Sequence, residues 1–114
     1  MEETIKQTLR RLGITRNYRG YNILLVAVQL VLEDESRIRS VMEEVYRPTA
    51  KVVGCNFPSI ERNIRTIIDR VWNMNKQSLI RIADFPMSQQ PTAAELIDII
   101  ASHVRRTCRT KINK

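Results

Sequence analysis

Histidine and cysteine are scarce in this chain of 114 residues, which contains one histidine, His103, and two cysteines, Cys55 and Cys108. These three side chains do not form a metal-ligand pattern, so we expect reduced, structural thiols and no metal site. The sequence also lacks a visible Ser/His/Asp arrangement, a glycine-rich phosphate loop and paired carboxylates. It therefore gives no positive evidence for catalysis, and we expect a protein that is not an enzyme and needs no cofactor.

A long apolar run is also missing. The longest run, from Ile23 to Leu32, is interrupted by Gln29 and falls well short of the roughly 20 residues that a membrane-spanning helix needs. The N-terminal residues 1–4 are acidic and lack the apolar centre of a signal peptide. We therefore expect a cytoplasmic protein that does not contact a membrane.

Sequence repeats, low-complexity tracts and clear strand patterns are absent as well. The apolar spacings are helical instead, and the apolar content of 43% suffices for one modest core. The sequence therefore predicts an all-α fold, a compact bundle of about six helices in one domain spanning residues 1–114. Outside the central motif, the predicted helices are Glu3–Leu12, Tyr21–Glu33, Arg37–Tyr46, Gln77–Phe85 and a last helix that starts at a capping box formed by Thr92 and Glu95.

Two of these helices carry further expectations. The helix Tyr21–Glu33 is apolar on nearly all sides, which predicts a position in the middle of the bundle. Pro48 is expected to end the helix Arg37–Tyr46. Its core-facing residues are predicted to be Ile38, Val41, Met42 and Val45.

The stretch from Thr49 to Trp72 predicts a helix-turn-helix, a short helix and a longer one joined by a tight turn. Ala50 is small enough for a helix crossing, and Gly54 can adopt the positive φ that the turn requires. Asn56 suits the N-cap and Pro58 suits the first turn of the second helix. The second helix should therefore start near Pro58.

The second helix of this motif has one apolar and one polar face. Its inward residues are Ile60, Ile64, Ile67, Ile68 and Val71. Arg62 lies opposite them, flanked by Ser59, Arg65, Thr66 and Asp69. Arginine can donate two hydrogen bonds to a guanine edge in the major groove, and hydroxyls can hold phosphates. The face therefore predicts DNA binding, with an ordinary amphipathic helix and its solvated charged face as the alternative.

The net charge of +7 and the pI near 10.0 favour a polyanionic partner. Residues 1–57 contain 9 basic and 7 acidic side chains, whereas residues 58–114 contain 10 and 5. The half with the second helix is thus the more basic one. Acidic proteins, an anionic membrane or a functionally silent basic surface are also compatible with this charge. The basic C-terminal tail is either a phosphate clamp or a solvated end, and consists of Arg105, Arg106, Arg109, Lys111 and Lys114.

Five motifs occur in the order and spacing of one known domain. They are Leu12-Gly13-Ile14, Arg19-Gly20-Tyr21 with Leu24 and Ala27, Tyr46-Arg47-Pro48 with Ala50-Lys51, Glu61-Arg62-Asn63-Ile64-Arg65 to Val71-Trp72, and Pro91-Thr92 with Glu95 and Ile97. On these motifs, from about Ile5 to Arg106, the chain resembles the C-terminal DNA-binding effector domain of sporulation initiation response regulators, the stage-zero sporulation protein A family.

This resemblance implies a cytoplasmic transcription regulator of about six helices from a spore-forming Gram-positive type of bacterium. It also implies binding to short boxes in double-stranded DNA, tandem pairing of two copies on adjacent boxes, and contact of residues 77–83 with the sigma subunit of RNA polymerase. The glutamate and two arginines of the family's recognition helix match Glu61, Arg62 and Arg65. The predicted DNA-binding residues are Ser59, Glu61, Arg62, Arg65, Thr66, Lys51 and Arg109.

The chain departs from the family pattern at three positions of the recognition helix. Pro58-Ser59 stands where the family has serine-arginine, and Thr66 replaces a histidine. These changes put the identity of the recognised box in question, and they leave a protein-interaction module with weak DNA binding as the alternative function. The receiver domain that precedes this domain in the family has no counterpart in the sequence, so we expect either an excised effector domain or a free-standing one.

Overall fold

The computed structural model describes residues 1–112, with side chains to residue 109. This part of the chain is all-α, as predicted, and contains no strand. Six α-helices, one 3-10 helix and one π-helix follow one another with short connections. They are α1 (Glu2–Arg11), α2 (Gly20–Glu33), the 3-10 helix Glu35–Ser40, the π-helix Met42–Tyr46, α3 (Arg47–Val53), α4 (Phe57–Met74), α5 (Lys76–Ala83) and α6 (Ala93–Ile112).

Helix α2 lies in the middle of the bundle, as its nearly all-round apolarity predicted. It packs against α1, α3, α4 and α6, and its residues Leu24, Ala27 and Val28 have no exposed surface. The buried apolar residues of all the helices join in one core cluster. None of the helices in residues 1–112 combines the length and apolarity that crossing a bilayer requires.

The two ends of α6 are held differently. At its N-terminus the predicted capping box is confirmed, since the Thr92 amide donates to Glu95 Oε1 at 2.8 Å and the Glu95 amide donates to Thr92 Oγ1 at 3.1 Å. Towards its C-terminus, Cys108 lies against Thr4 of α1. Both Cys108 and Cys55 are free and half-buried.

The predicted third α-helix, Arg37–Tyr46, is wrong in type and in its end. The segment is a 3-10 helix followed by a π-helix, and it runs on into α3 through Pro48, which sits in the first turn of α3 and does not terminate the helical path. Proline leaves the carbonyl four residues earlier without a donor, here that of Glu44. The guanidinium of Arg37 supplies this donor, with Nη1 2.8 Å from the Glu44 oxygen.

The core stripe of this segment was also predicted only in part. Val45 is fully buried and Ile38 and Val41 are half-buried, but the Met42 side chain is 53% exposed. The helical turn widens to π geometry from Met42 onward, where the Arg47 amide donates to the Met42 carbonyl. A stripe calculated for an α-helix therefore loses its register at this point.

The predicted break at residues 73–76 is shorter than expected. Helix α4 continues to Met74, and α5 already begins at Lys76, so only Asn75 separates them. Helix α5 ends at Ala83, before Phe85, because Asp84 adopts a left-handed conformation with φ of 64°. Within α5, Leu79 and Ile82 are buried and Ile80 is half-buried.

Candidate nucleic-acid interface

Helices α3 and α4 form the predicted helix-turn-helix. Gly54 ends α3 with φ of 74° and ψ of 41°, the left-handed conformation that its lack of a side chain permits. The amides of Gly54 and Cys55 both donate to the Ala50 carbonyl, at 2.9 and 3.1 Å. Helix α4 then starts at Phe57, one residue before the predicted position, with Asn56 as its N-cap. The turn is thus set by local hydrogen bonds.

Helix α4 turns its isoleucines inward as the periodicity predicted. All five core-facing residues are buried, and Ile60 and Ile64 have no exposed surface. On the opposite face Arg62, Arg65, Thr66 and Asp69 are exposed and Ser59 is half-buried. The helix therefore offers two arginines and two hydroxyls on one open face.

Arg62 is held in place by a chain of hydrogen bonds at the start of α4. Its Nη2 donates to Ser59 Oγ at 3.1 Å, and Ser59 Oγ donates to Asn56 Oδ1 at 2.8 Å. The same Asn56 oxygen accepts the Ser59 amide at 3.0 Å. The N-cap thus fixes both the helix start and, through Ser59, the orientation of the Arg62 guanidinium.

Glu61 and Arg65 form an ion pair one turn apart, with Arg65 Nη2 2.6 Å from Glu61 Oε1. Both side chains are largely exposed, so the pair contributes little to folding stability. Its geometric effect is larger, because the carboxylate draws the Arg65 side chain to one side of the helix. The contact therefore gives Glu61 a role in orienting an arginine.

The remaining predicted site residues lie in three different environments. Thr66 Oγ1 donates to the Arg62 carbonyl at 3.1 Å, so its hydroxyl proton is already engaged within the helix. Lys51 is exposed on α3, beside the turn. Arg109 is exposed on α6, one residue after the cysteine that reaches α1. It therefore belongs to the end of the molecule where α1 and α6 meet, and not to the helix-turn-helix.

The first two arginines of the basic tail have structural contacts. Arg105 pairs with Glu35 and lies 3.4 Å from the Val31 carbonyl oxygen, and Arg106 donates to the Ile82 carbonyl at 2.9 Å. Lys114 and the side chain of Lys111 lie outside the described residues. A freely solvated tail therefore does not describe Arg105 and Arg106, which connect α6 to neighbouring elements.

Several contacts of aromatic rings near α4 were not predicted from the sequence. The Arg70 guanidinium lies over the Tyr18 ring, 5.7 Å from its centroid, and the Arg47 guanidinium lies over Phe57 at 5.4 Å. Phe57 also makes an edge contact with Tyr46. The only sequence signal for the first contact is Arg70 itself, an arginine on the second helix of the motif. No spacing identifies Tyr18 as its partner.

Tyr46 connects this aromatic group to the Glu61–Arg65 pair. Burial raises the pKa of the Tyr46 hydroxyl above its ordinary value, and the Glu61 carboxylate raises it further. Tyr46, Glu61 and Arg65 line a cleft of about 460 Å³ between the π-helix, α4 and the start of α6. At neutral pH Tyr46 is therefore a neutral wall of that cleft.

Comparison with known protein families agrees with this arrangement. Residues 5–104 match the family described as sporulation initiation factor Spo0A C terminal. The match begins within α1, includes α2 to α5 with the whole helix-turn-helix, and ends within α6. The chain therefore belongs to the Spo0A C-terminal family and is a DNA-binding regulator domain of the sporulation-initiation type.

Proposed function

We propose that this domain recognises short promoter boxes by inserting the N-terminal half of α4 into the major groove, with Arg62 reading a base edge. The observation that carries the proposal is the chain from Asn56 through Ser59 to Arg62, which holds an exposed guanidinium in a fixed direction. A pre-oriented arginine loses less freedom on binding than a mobile one. It is also the side chain that most often contacts guanine in a major groove.

The other site residues take supporting roles in this proposal. Arg65, drawn aside by Glu61, contacts a base or a phosphate at the edge of the groove. Lys51 on α3 binds the phosphate backbone, as the first helix of such motifs commonly does. The Ser59 and Thr66 hydroxyls already have partners within α4, so they serve DNA mainly as hydrogen-bond acceptors or by shape.

Fluorescence anisotropy with a labelled duplex carrying two tandem sporulation-type boxes, and with a scrambled duplex, tests this proposal. Arg62→Ala should cost about 1–3 kcal/mol on the boxes, roughly a 5- to 150-fold rise in Kd, and a much smaller loss on scrambled DNA. Arg39→Ala, an exposed arginine on the 3-10 helix, is the matched control. Equal binding of the two duplexes by the parent protein, or equal losses for both variants, would refute specific reading by Arg62.

Lys51 and Arg109 are expected to act differently from Arg62. Removal of a residue that binds phosphate weakens binding to all DNA sequences alike. It also lowers the slope of log K against log salt by about 1. We expect this of Lys51→Ala. The same result for Arg109→Ala would support a phosphate clamp at the end of α6, and an unchanged slope would assign that end to solvent.

Two further proposals concern partners. We propose that two copies bind adjacent boxes in tandem. A second box should then raise the affinity by more than the twofold gain that a doubled number of sites gives.

We also propose that α5 faces the sigma subunit of RNA polymerase. The exposure of Gln77 and Arg81 supports this proposal, as does Phe85, which is 50% exposed just beyond the helix. Arg81→Ala should then reduce transcription in vitro without weakening binding to promoter DNA.

The alternative function, a protein-interaction module with weak DNA binding, rests on the departures at Pro58, Ser59 and Thr66. Ser59 and Thr66 are both engaged in hydrogen bonds that involve Arg62, which favours the DNA-reading proposal over this alternative. A domain that binds both duplexes equally and captures a response regulator from nuclease-treated lysate would reverse this preference.

A further inference from the structure

We propose that the connection between α1 and α2 forms a second contact surface for the DNA backbone, beside α4. This surface, here called the loop flank, consists of Arg16 and Arg19 on the connection and Arg70 on α4. Its ligand is the sugar-phosphate backbone, without regard to base sequence. The inference rests on the proposed insertion of α4 into the groove, and it adds a contact that neither the motifs nor the family match assigns.

The connection is packed tightly against α4. A Cβ atom built on Gly20 would lie 2.5 Å from Ile67 Cδ1 and 3.0 Å from the Asn63 carbonyl oxygen, so the backbone at Gly20 touches α4 directly. Two residues earlier, the Tyr18 ring lies under the Arg70 guanidinium. The position of the loop relative to α4 is therefore fixed by backbone contact and by an aromatic contact.

The connection meets α4 on the flank that borders its exposed face. At about 100° per residue, Asn63 and Arg70 lie about 100° and 80° from Arg62, in the direction of Ser59 and Thr66. A helix with its side chains is about 10–12 Å across and the major groove is about 12 Å wide. An element that packs on the flank of an inserted helix therefore meets a phosphate wall of the groove.

The charge of this flank suits phosphate. Arg16 and Arg19 are exposed, and the sequence contains no acidic residue between Glu3 and Glu33. Behind the loop, a cleft of about 370 Å³ is lined by Lys6, Arg10 and Arg16 together with Glu3 and polar groups of the connection. Lys6 pairs with Glu2 there, so Arg10 is the further cation that extends the positive surface away from α4.

The other flank of α4 differs in charge. Glu61 and Asp69 line the cleft there, and Glu43 on the π-helix pairs with Arg47. Carboxylates therefore accompany the cations on that side and reduce its attraction for phosphate. Because Arg16, Arg19 and Arg70 form no ion pair with another described residue, the loop flank is the stronger candidate for backbone contact.

The test measures binding of a scrambled 20-base-pair duplex at several salt concentrations. The double variant Arg16→Ala/Arg19→Ala should lower the slope of log K against log salt by about 2, because each phosphate contact contributes about 0.9. The ratio of affinities for box and scrambled duplexes should stay as in the parent. The double variant Arg16→Lys/Arg19→Lys keeps both charges and should retain most of the slope.

The control is Arg11→Ala/Arg39→Ala, which removes the same charge from two exposed positions that face α6. Arg11 lies near His103, and Arg39 lines a cleft with Asp98 and Ser102. An unchanged slope in the Arg16/Arg19 variant, or an equal fall in the control, would overturn the loop flank. If the parent protein showed no preference for the boxes, the proposed recognition of bases by α4 would be contradicted. The salt slope on scrambled DNA would still show whether the loop flank contacts phosphates. Circular dichroism melts confirm that each variant is folded.

Discussion

Asn56 gives one oxygen two tasks, capping α4 and holding the hydroxyl that supports Arg62. Substitution of each partner should separate these tasks. Asn56→Ala removes the cap and should cost about 1 kcal/mol of unfolding free energy. Ser59→Ala leaves the Ser59 amide and its bond to Asn56 in place, so stability should change little while Arg62 loses its support. We expect Ser59→Ala to lower the affinity for boxes more than for scrambled DNA.

Urea unfolding and anisotropy on the same preparations measure both effects. If Ser59→Ala destabilised the protein as much as Asn56→Ala, the hydroxyl would be part of the cap. If it left discrimination between the duplexes intact, Arg62 would not depend on Ser59 for its orientation.

Removing the charge of Glu61 should have opposite effects on the affinity for scrambled DNA and on the preference for the boxes. Glu61→Gln removes a negative charge from the exposed face and releases Arg65. Affinity for scrambled DNA should rise, because the repulsion of phosphates falls, whereas preference for the boxes should fall because Arg65 is no longer directed. Stability should change by less than about 1 kcal/mol, since the pair is exposed. A parallel rise for both duplexes would show that Glu61 acts through charge alone.

At the scale of the element, the passage from the π-helix into α3 depends on two compensating residues. Pro48 has no amide hydrogen for the Glu44 carbonyl, and Arg37 donates in its place. Arg37→Ala should therefore cost about 0.5–1.5 kcal/mol of unfolding free energy. In a Pro48→Ala background, where residue 48 regains its amide, the cost of Arg37→Ala should become smaller.

A double-mutant cycle from urea unfolding isolates this coupling. The double variant should lose less unfolding free energy than the two single variants lose together. Additive costs would show that the Glu44 carbonyl obtains its donor elsewhere, from solvent for example. Glu44→Ala serves as a side-chain control because it keeps the carbonyl.

The same element shows what periodicity cannot predict. The sequence rules for Gly54, Asn56 and the Thr92–Glu95 box succeeded because each concerns bonds between residues at most four positions apart. The rule that proline ends a helix failed at Pro48, because the missing donor comes from a side chain eleven residues earlier. The widened turn at Met42 has no signature in apolar spacing, so its exposure was missed.

At the scale of the whole molecule, His103 makes stability depend on pH. It is half-buried on α6, and its pKa lies below the ordinary value of 6.5 because of burial and the nearby charges of Arg106 and Arg11. The unfolded chain therefore binds a proton at a higher pH than the folded chain. The free energy of unfolding should fall as pH decreases through 6.5 towards the folded pKa.

Urea unfolding at pH 7.5 and at pH 5.5 checks this prediction, with His103→Gln as the comparison. The variant should lose less stability on acidification than the parent. The carboxylates with lowered pKa values, Glu2, Asp34 and Glu43, act only at more acidic pH, since their ordinary values are 4.5 or below. Equal acid losses in both proteins would show that His103 does not supply the effect.

The candidate site was predictable to the extent that it lies on one helix. The exposed face around Arg62 follows from α4 periodicity alone, whereas Lys51 entered the prediction only as part of the family motif Ala50-Lys51. The approach of Gly20 to Asn63, and of Tyr18 to Arg70, joins segments about 40 to 50 residues apart. Such contacts depend on how the helices pack, so the loop flank could be recognised only in three dimensions.

The bond from Asn75 Nδ2 to the Leu12 carbonyl, 3.1 Å long, spans 63 positions and joins the end of α1 to the end of α4. Beside it, the amides of Gly13 and Ile14 donate to Arg10 and Leu9. A local opening of the chain that exposes these amides to exchange with solvent also breaks the hydrogen bond between Asn75 and Leu12. Duplex binding to α4 should therefore slow hydrogen–deuterium exchange at Gly13 and Ile14, although neither residue belongs to the helix-turn-helix.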